Sequence, residues 1–191
     1  MEGQRKARRE PKRITAERLE KSALRYLERF ATSSANLRRV LMRRVEVSAA
    51  FHDEDPARGA ALVEALIARY LSAGLLNDEN FAAARAASLH RRGISRVGIR
   101  GRLAQKGLDG DQVAKALDDL GEEPGGSEFA AACALARRRR IGPYRLKDRE
   151  ENRRKDLGTF ARAGFGSDVT RRVLEAADVE ALEALLREED A

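Results

Sequence analysis

The side chains of this chain that could do chemistry are few, and one group outweighs the rest. Arg85, Arg91, Arg92, Arg96, Arg100, Arg102 and Lys106 form a basic run with no acid between Glu79 and Asp109. Helix surfaces facing water ordinarily mix charge signs, so that residues one turn apart can pair. A face of one sign repels itself unless an anionic partner offsets the repulsion. The run is therefore read as a surface that binds something anionic, not as a pocket for reaction. A second basic block runs from Arg137 through Arg138, Arg139 and Arg140, then Arg145, Lys147, Arg149, Arg153, Arg154 and Lys155. Its middle, Ile141-Gly-Pro-Tyr144, cannot continue a helix. It reads either as a flexible basic loop reaching a phosphate backbone or as a solvated insertion.

The residues of catalytic type do not converge. His52-Asp53-Glu54-Asp55 has the composition of a metal cluster, but adjacent loop residues point apart and no further ligands accompany them. Loop plus helix N-cap is the better reading. His90 falls late in a helix beside Arg91 and Arg92, and is expected at the surface. Cys133 lies among alanines and is expected to be a small buried side chain. No phosphate-binding loop, dinucleotide fingerprint or zinc spacing occurs. The chain is read as having no enzymatic activity, no cofactor and no metal.

Composition agrees with a binding role. The 191 residues carry a net charge of +7, which favours a polyanionic partner. Aromatics make up 5% with no Trp, while Ala, Leu and Arg abound, a mix suited to helices rather than a β-sandwich. A single cysteine permits no intramolecular disulfide and fits a reducing cytosol. The basic N-terminus is followed by no apolar signal core, and no apolar run approaches the roughly 18 residues of a membrane span. A cytoplasmic protein that does not enter membranes is expected.

The elements that must position the basic residues are all helices. Residues 1–14 read as a basic disordered arm. A helix follows with Leu19, Ala23, Leu27 and Phe30 on one face, then another with Leu37, Val40, Leu41 and Val45. Asp55-Pro56 is a strong helix start, leading into Leu62, Leu66, Ile67, Tyr70 and Leu71 and ending at Gly74. From Asn77 to Leu117 three short helices succeed one another. The breaks are Gly93-Ile94-Ser95 and Gly107-Leu108-Asp109, each a glycine stop followed by a capping residue. Gly98 and Gly101 fall inside the second of these helices, at a cost of about 1 kcal/mol each relative to Ala. They suit either close packing or close approach of a partner.

The chain also repeats itself. Leu27, Ser33, Leu37, Leu41 and Arg44 fall on Leu89, Ser95, Ile99, Leu103 and Lys106, each pair 62 positions apart. A looser register places Leu103, Gly107, Leu108 and Leu117 on Phe160, Gly164, Phe165 and Leu174. Such self-similarity is the mark of tandem units. The expected organisation is a first helical repeat at 15–54, a middle repeat at 55–120, a linker at 121–127, a third repeat at 128–176 with a basic insertion, and an acidic tail at 177–191.

One run is more specific. Gly74-Leu75-Leu76-Asn77-Asp78-x-x-Phe81-Ala82, followed by Arg91-Arg92-Gly93-x-Ser95-Arg96-x-x-Ile99-Arg100-x-x-Leu103-x-Gln105-Lys106-Gly107-Leu108, resembles the RecX family, the regulators of the RecA recombinase. The likeness spans about residues 20–176, is strongest in the middle unit, and includes Ala163-Gly164-Phe165 late in the chain. Family members commonly carry Tyr where this chain has Leu75 and Asp where it has Asn77.

The resemblance implies an all-α fold, an elongated array of three tandem three-helix repeats. It implies a negative regulator that lies in the groove of the RecA–DNA filament. Such a protein inhibits filament extension, ATP hydrolysis, strand exchange and cleavage of the SOS repressor. RecA in its nucleoprotein filament is then the partner, with direct DNA contact open and a monomer as the expected state. On this reading, reversing Arg92, Arg96 and Lys106 to Glu leaves the fold intact and abolishes inhibition. The alternative is a direct nucleic-acid-binding module of helix-turn-helix type, with the helix from Ser95 in a groove. Against it stand Gly98 and Gly101, and the absence of Asn or Gln on the Arg96–Arg100 face.

Overall fold

Most helices of this chain begin at a polar residue whose side chain accepts a backbone N–H from the first turn. Thr15, Ser33, Asp55, Ser95, Asp109 and Ser127 each do so. Asp109 and Gln112 form a reciprocal pair, each side chain accepting the other's backbone N–H. The computed structural model describes residues 10–189, and all regular structure among them is helical. The helices are α1 (Ala16–Leu27), α2 (Ser34–His52), α3 (Pro56–Ser72), α4 (Asp78–Arg91), α5 (Arg96–Ala104), α6 (Gly110–Glu122), α7 (Glu128–Arg139), α8 (Arg149–Ala163), α9 (Ser167–Glu175) and α10 (Val179–Glu189). A 3-10 turn at Gly142–Tyr144 precedes α8. Among the described residues no helix is long and apolar enough to cross a membrane.

The chain forms two compact units, one up to Asn77 and one from Asp78. The first is α1, α2 and α3 around Leu19, Ala23, Leu37, Leu41, Val45, Val63, Ile67 and Tyr70. The boundary read from sequence at residue 55 therefore falls inside a unit. The apolar stripe of α3 covers α1 and α2, so residues 16–76 share one core. Gly59 allows this, because a Cβ there would sit 2.4 Å from Cγ1 of the buried Val45.

Nor do residues 10–14 form a free arm. Ser48 Oγ donates to the Lys12 carbonyl at 3.2 Å and His52 Nε2 to that of Pro11 at 2.8 Å, while Ile14 packs on the core. Residues 1–9 of the expected arm lie outside the described residues.

The second unit holds two cores. One, from α4, α5 and α6, contains Ala82, Ala86, Leu89, Ile99, Leu103, Leu108, Val113 and Leu117. The other, from α7 to α10, is built around Phe129, Leu135, Ile141, Phe160, Phe165, Val173, Leu174 and Leu182. The registers seen in the sequence hold: Ser33 and Ser95 are buried N-caps, and Leu37, Leu41, Ile99 and Leu103 are wholly buried. Gly107 and Gly164 both take positive φ, +79° and +84°, each followed by a buried residue, Leu108 and Phe165.

The expected linker at 121–127 is instead a tight turn. α6 runs to Glu122, and a Cβ on the buried Gly126 would lie 1.7 Å from the Leu120 carbonyl oxygen. The expected acidic tail is largely α10, which buries Leu182 in the last core and pairs Glu189 with Arg172 at 3.1 Å; Asp190 lies outside the described residues.

Candidate functional site

The basic run is carried by α4, α5 and the turns around them. Its arginines differ sharply in what they touch. Arg91 and Arg92 close α4, and Arg100 and Arg102 lie on α5; all four are exposed and have no acidic partner among the described residues. Arg85 is half-buried on α4, and Lys106 is half-buried in the turn after α5 and engaged there.

Arg96 does not belong with the free residues. Its guanidinium donates to the Leu117 carbonyl at 2.7 Å and to Asp118 Oδ1 at 3.1 Å, across Gly121. Its backbone N–H donates to Glu128 Oε2 at 2.9 Å, which sets a carboxylate at the positive end of α5. Arg96 ties α5 to α6 and α7, so a reversal there is a structural lesion.

The crest of α5 was not foreseen as a feature. At about 100° per residue, Ile99 and Leu103 define the buried direction, and Arg100 and Arg102 stand about 80° to either side. What points outward is Val97, Gly101 and Ala104. Val97 is 68% exposed, and a Cβ on Gly101 would meet nothing within 4 Å. The face is thus a low, small-residue ridge flanked by two guanidinium groups. The sequence signal was present as the spacing 97, 101 and 104, one turn apart. Gly98 serves packing: a Cβ there would come within 2.8 Å of Ile94 Cγ2.

Contacts from the last core hold this face still. Ser95 Oγ donates to the Ala163 carbonyl at 2.5 Å while accepting the N–H of Gly98. His90, expected at the surface, is 3% exposed, and its Nε2 lies 2.7 Å from the Ser127 carbonyl, so that nitrogen carries the proton. Gly93, at φ +70°, lies against the backbone of Leu135, where a Cβ would come within 2.4 Å of its nitrogen. Two apolar cores are joined by backbone contact and aimed hydrogen bonds.

The second basic block divides likewise. Arg145 pairs with the buried Asp156 at 2.7 Å. Arg149 donates to the carbonyls of Leu174 and Ala177 at 2.7 Å and also to that of Ala176. Arg153 is half-buried and reaches Glu175 at 3.3 Å. Arg149 and Arg153 fasten α8 to α9 and Arg145 ties the segment before α8 onto that helix, so the block is neither a flexible loop nor a merely solvated insertion. Arg154 remains exposed on α8. Arg138 and Arg139 are exposed in the last turn of α7, where the helix dipole also favours cations.

Among the described residues no cluster of His, Cys, Asp and Glu suits a metal ion. Asp55 caps α3, accepting from the N–H of Ala57 at 2.9 Å, as the sequence suggested. Cys133 is buried, and that burial pushes its thiol up to about 12, leaving it protonated and a poor nucleophile near neutrality.

Comparison with known proteins addresses the same segment. Residues 77–117 match the family model described as RecX, second three-helix domain. The chain is 41% identical over 168 residues to the regulatory protein RecX of Myxococcus xanthus, covering 87% of this chain and 89% of that one. It is 30% identical over 165 residues to regulatory protein RecX of Agrobacterium fabrum, covering 86% and 85%. With regulatory protein RecX of Leptothrix cholodnii the identity is 36% over 162 residues, covering 83% and 88%. No solved structure matches the chain.

Proposed function

This chain belongs to the RecX family of regulatory proteins, and from that premise we propose that it is a negative regulator of RecA acting on the RecA–DNA filament. Binding there limits filament extension and, with it, ATP hydrolysis, strand exchange and the coprotease activity. The contacting face is the α5 crest with its flanking Arg100 and Arg102, together with Arg91 and Arg92 at the end of α4, and Arg138, Arg139 and Arg154 are secondary candidates. The observation that carries this reading is the division of labour among the arginines. Those tied into the fold have partners, while Arg100 and Arg102 flank a ridge that offers no acid, and Arg91 and Arg92 at the end of α4 are likewise exposed with no acidic partner among the described residues. A nucleoprotein polymer presents phosphates and acidic side chains in a regular array, so such a face reads charge and shape rather than base sequence. Low relief at Gly101 lets a partner's backbone come close.

The test is RecA ATP hydrolysis on single-stranded DNA, titrated with this protein far below one copy per RecA. Strong inhibition is expected from the unaltered chain. The triple variant R92E/R100E/R102E should need at least tenfold more protein for half-inhibition, with unfolding free energy within about 0.5 kcal/mol of the parent. Undiminished inhibition by that variant would remove the face from the reading. Inhibition appearing only when DNA sites are saturated would instead favour the helix-turn-helix alternative, direct competition for nucleic acid.

A further inference from the structure

The first unit has a basic surface of its own, unrelated to the α5 crest. A groove of about 880 Å³ opens between α1 and α2 and is also lined by Pro11, Lys12 and Ile14. Among the described residues six cations line it, Lys12, Arg18, Lys21, Arg25, Arg43 and Arg44, and no Asp or Glu does. On α1 the spacing of Arg18, Lys21 and Arg25 puts them on one stripe, and Arg43 and Arg44 form the facing wall on α2.

All six are exposed, and none has an acidic partner among the described residues. The acids of the unit that do form ion pairs are committed elsewhere. Glu64 holds Arg38 at 2.7 Å, Glu20 holds Arg69 at 2.6 Å, and Glu54 holds Arg13. Six like charges around one concavity repel one another, and an entering polyanion relieves them all together.

We propose that this groove binds the sugar–phosphate backbone of a single nucleic-acid strand. Its lining says how. No aromatic ring is present, so bases are not stacked and sequence is not read. The helix walls have their mid-helix N–H groups bonded internally, which leaves the six side chains to make the contacts, Arg18 with one guanidinium nitrogen already donating to the Arg13 carbonyl at 2.8 Å. The apolar lining is aliphatic, chiefly Leu19, Val40 and Val47, and only Val47 is strongly exposed. An acidic helix would need deeper apolar anchor pockets at one-turn spacing than this floor provides. Cations on two facing walls suit one strand lying between them. The inference stands apart from the filament reading, because its readout contains no RecA.

The experiment is fluorescence anisotropy of a labelled oligothymidylate with the full chain alone, at several salt concentrations. Neutralising one phosphate per lining cation gives a slope of log affinity against log salt of about −4 for a single strand. The variant K21E/R25E/R43E/R44E should lose at least tenfold in affinity and flatten that slope to about −1. The charge-matched control R58E/K147E/K155E/R187E should lose less than threefold. Circular dichroism checks that both remain folded, and K21Q/R25Q should give an intermediate loss if the quadruple variant does not. Equal loss in groove and control variants overturns the site, as does retained binding by the groove variant. Labelled polyglutamate binding more tightly than the oligonucleotide would assign the groove to an acidic peptide and overturn the proposal.

Discussion

Glycines at 93 and 101 lie eight residues apart and make opposite demands. Gly93 has positive φ and no room for a Cβ against the Leu135 backbone. Gly93→Ala therefore adds left-handed strain of about 1–2 kcal/mol to a clash that only main-chain movement relieves. A loss of about 3 kcal/mol or more in urea unfolding is expected. Gly101 is helical with open space around it, so Gly101→Ala should gain up to about 1 kcal/mol. If the crest must let a partner close in, Gly101→Leu should weaken the proposed RecA inhibition without loss of stability. Cys133 gives a further residue-level outcome. A thiol held protonated in the fold binds its proton more tightly than in the unfolded chain. Stability from this source is full below about pH 9 and falls above it by about 1.4 kcal/mol per pH unit. Cys133→Ala should remove that part of the slope in denaturation measured between pH 8 and 10.5. The caps at Asp55, Ser95 and Asp109 were legible in the sequence because capping is decided within four residues. The burial of His90 and the tethering of Arg96 were not, because their partners, Ser127, Leu117 and Asp118, lie 21 to 37 positions away.

Helices of this chain were readable as elements, and their partners were not. An apolar stripe shows that a helix must be covered, without showing by what; Val63, Leu66, Ile67 and Tyr70 on α3 would fit the core before it or after it. Packing against Leu37, Leu41 and Val45 settles the matter for the first unit. The same limit explains the basic block around α8. Charge alone reads as a solvent-facing surface, whereas three of its arginines make bonds between elements. Arg145 and Asp156 make the most exacting of these, since the Asp156 side chain is only 4% exposed. Removing the guanidinium leaves a buried carboxylate that keeps the Gly142 N–H, 3.5 Å away, as its remaining described donor. Arg145→Leu should therefore cost about 3–5 kcal/mol, and Asp156→Asn in that background should recover part of it. A double-mutant cycle in urea checks this; additivity of the two changes would show the pair to be incidental.

On the scale of the whole molecule, three apolar cores among the described residues are divided between two units, and this division should govern how the chain unfolds. The first unit closes on its own core, with Glu64–Arg38 and Glu20–Arg69 bridging its helices at the surface. In the second unit neither core is self-sufficient. The α4–α6 core depends on its neighbour through His90, Gly93, Ser95 and Arg96, each of which contacts α7, α8 or the turns beside them. Three helices of this size bury too little apolar surface to be stable without such support. A fragment of residues 78–189 should hence melt in one cooperative transition. A fragment of residues 78–123 should lose most of its helical signal at the same temperature, having left the Gly93 and Ser95 contacts behind. Circular dichroism of the two fragments decides the point, and a stable 78–123 would show that the polar contacts join finished domains rather than complete one. The outcome bears on function. If the repeats fold as one body, the α5 crest is held at a fixed angle by residues far from it in sequence. On the proposed function, Ser95 or His90 variants should then weaken RecA inhibition although neither side chain reaches the surface, whereas an independent middle repeat would keep that proposed inhibition in their absence.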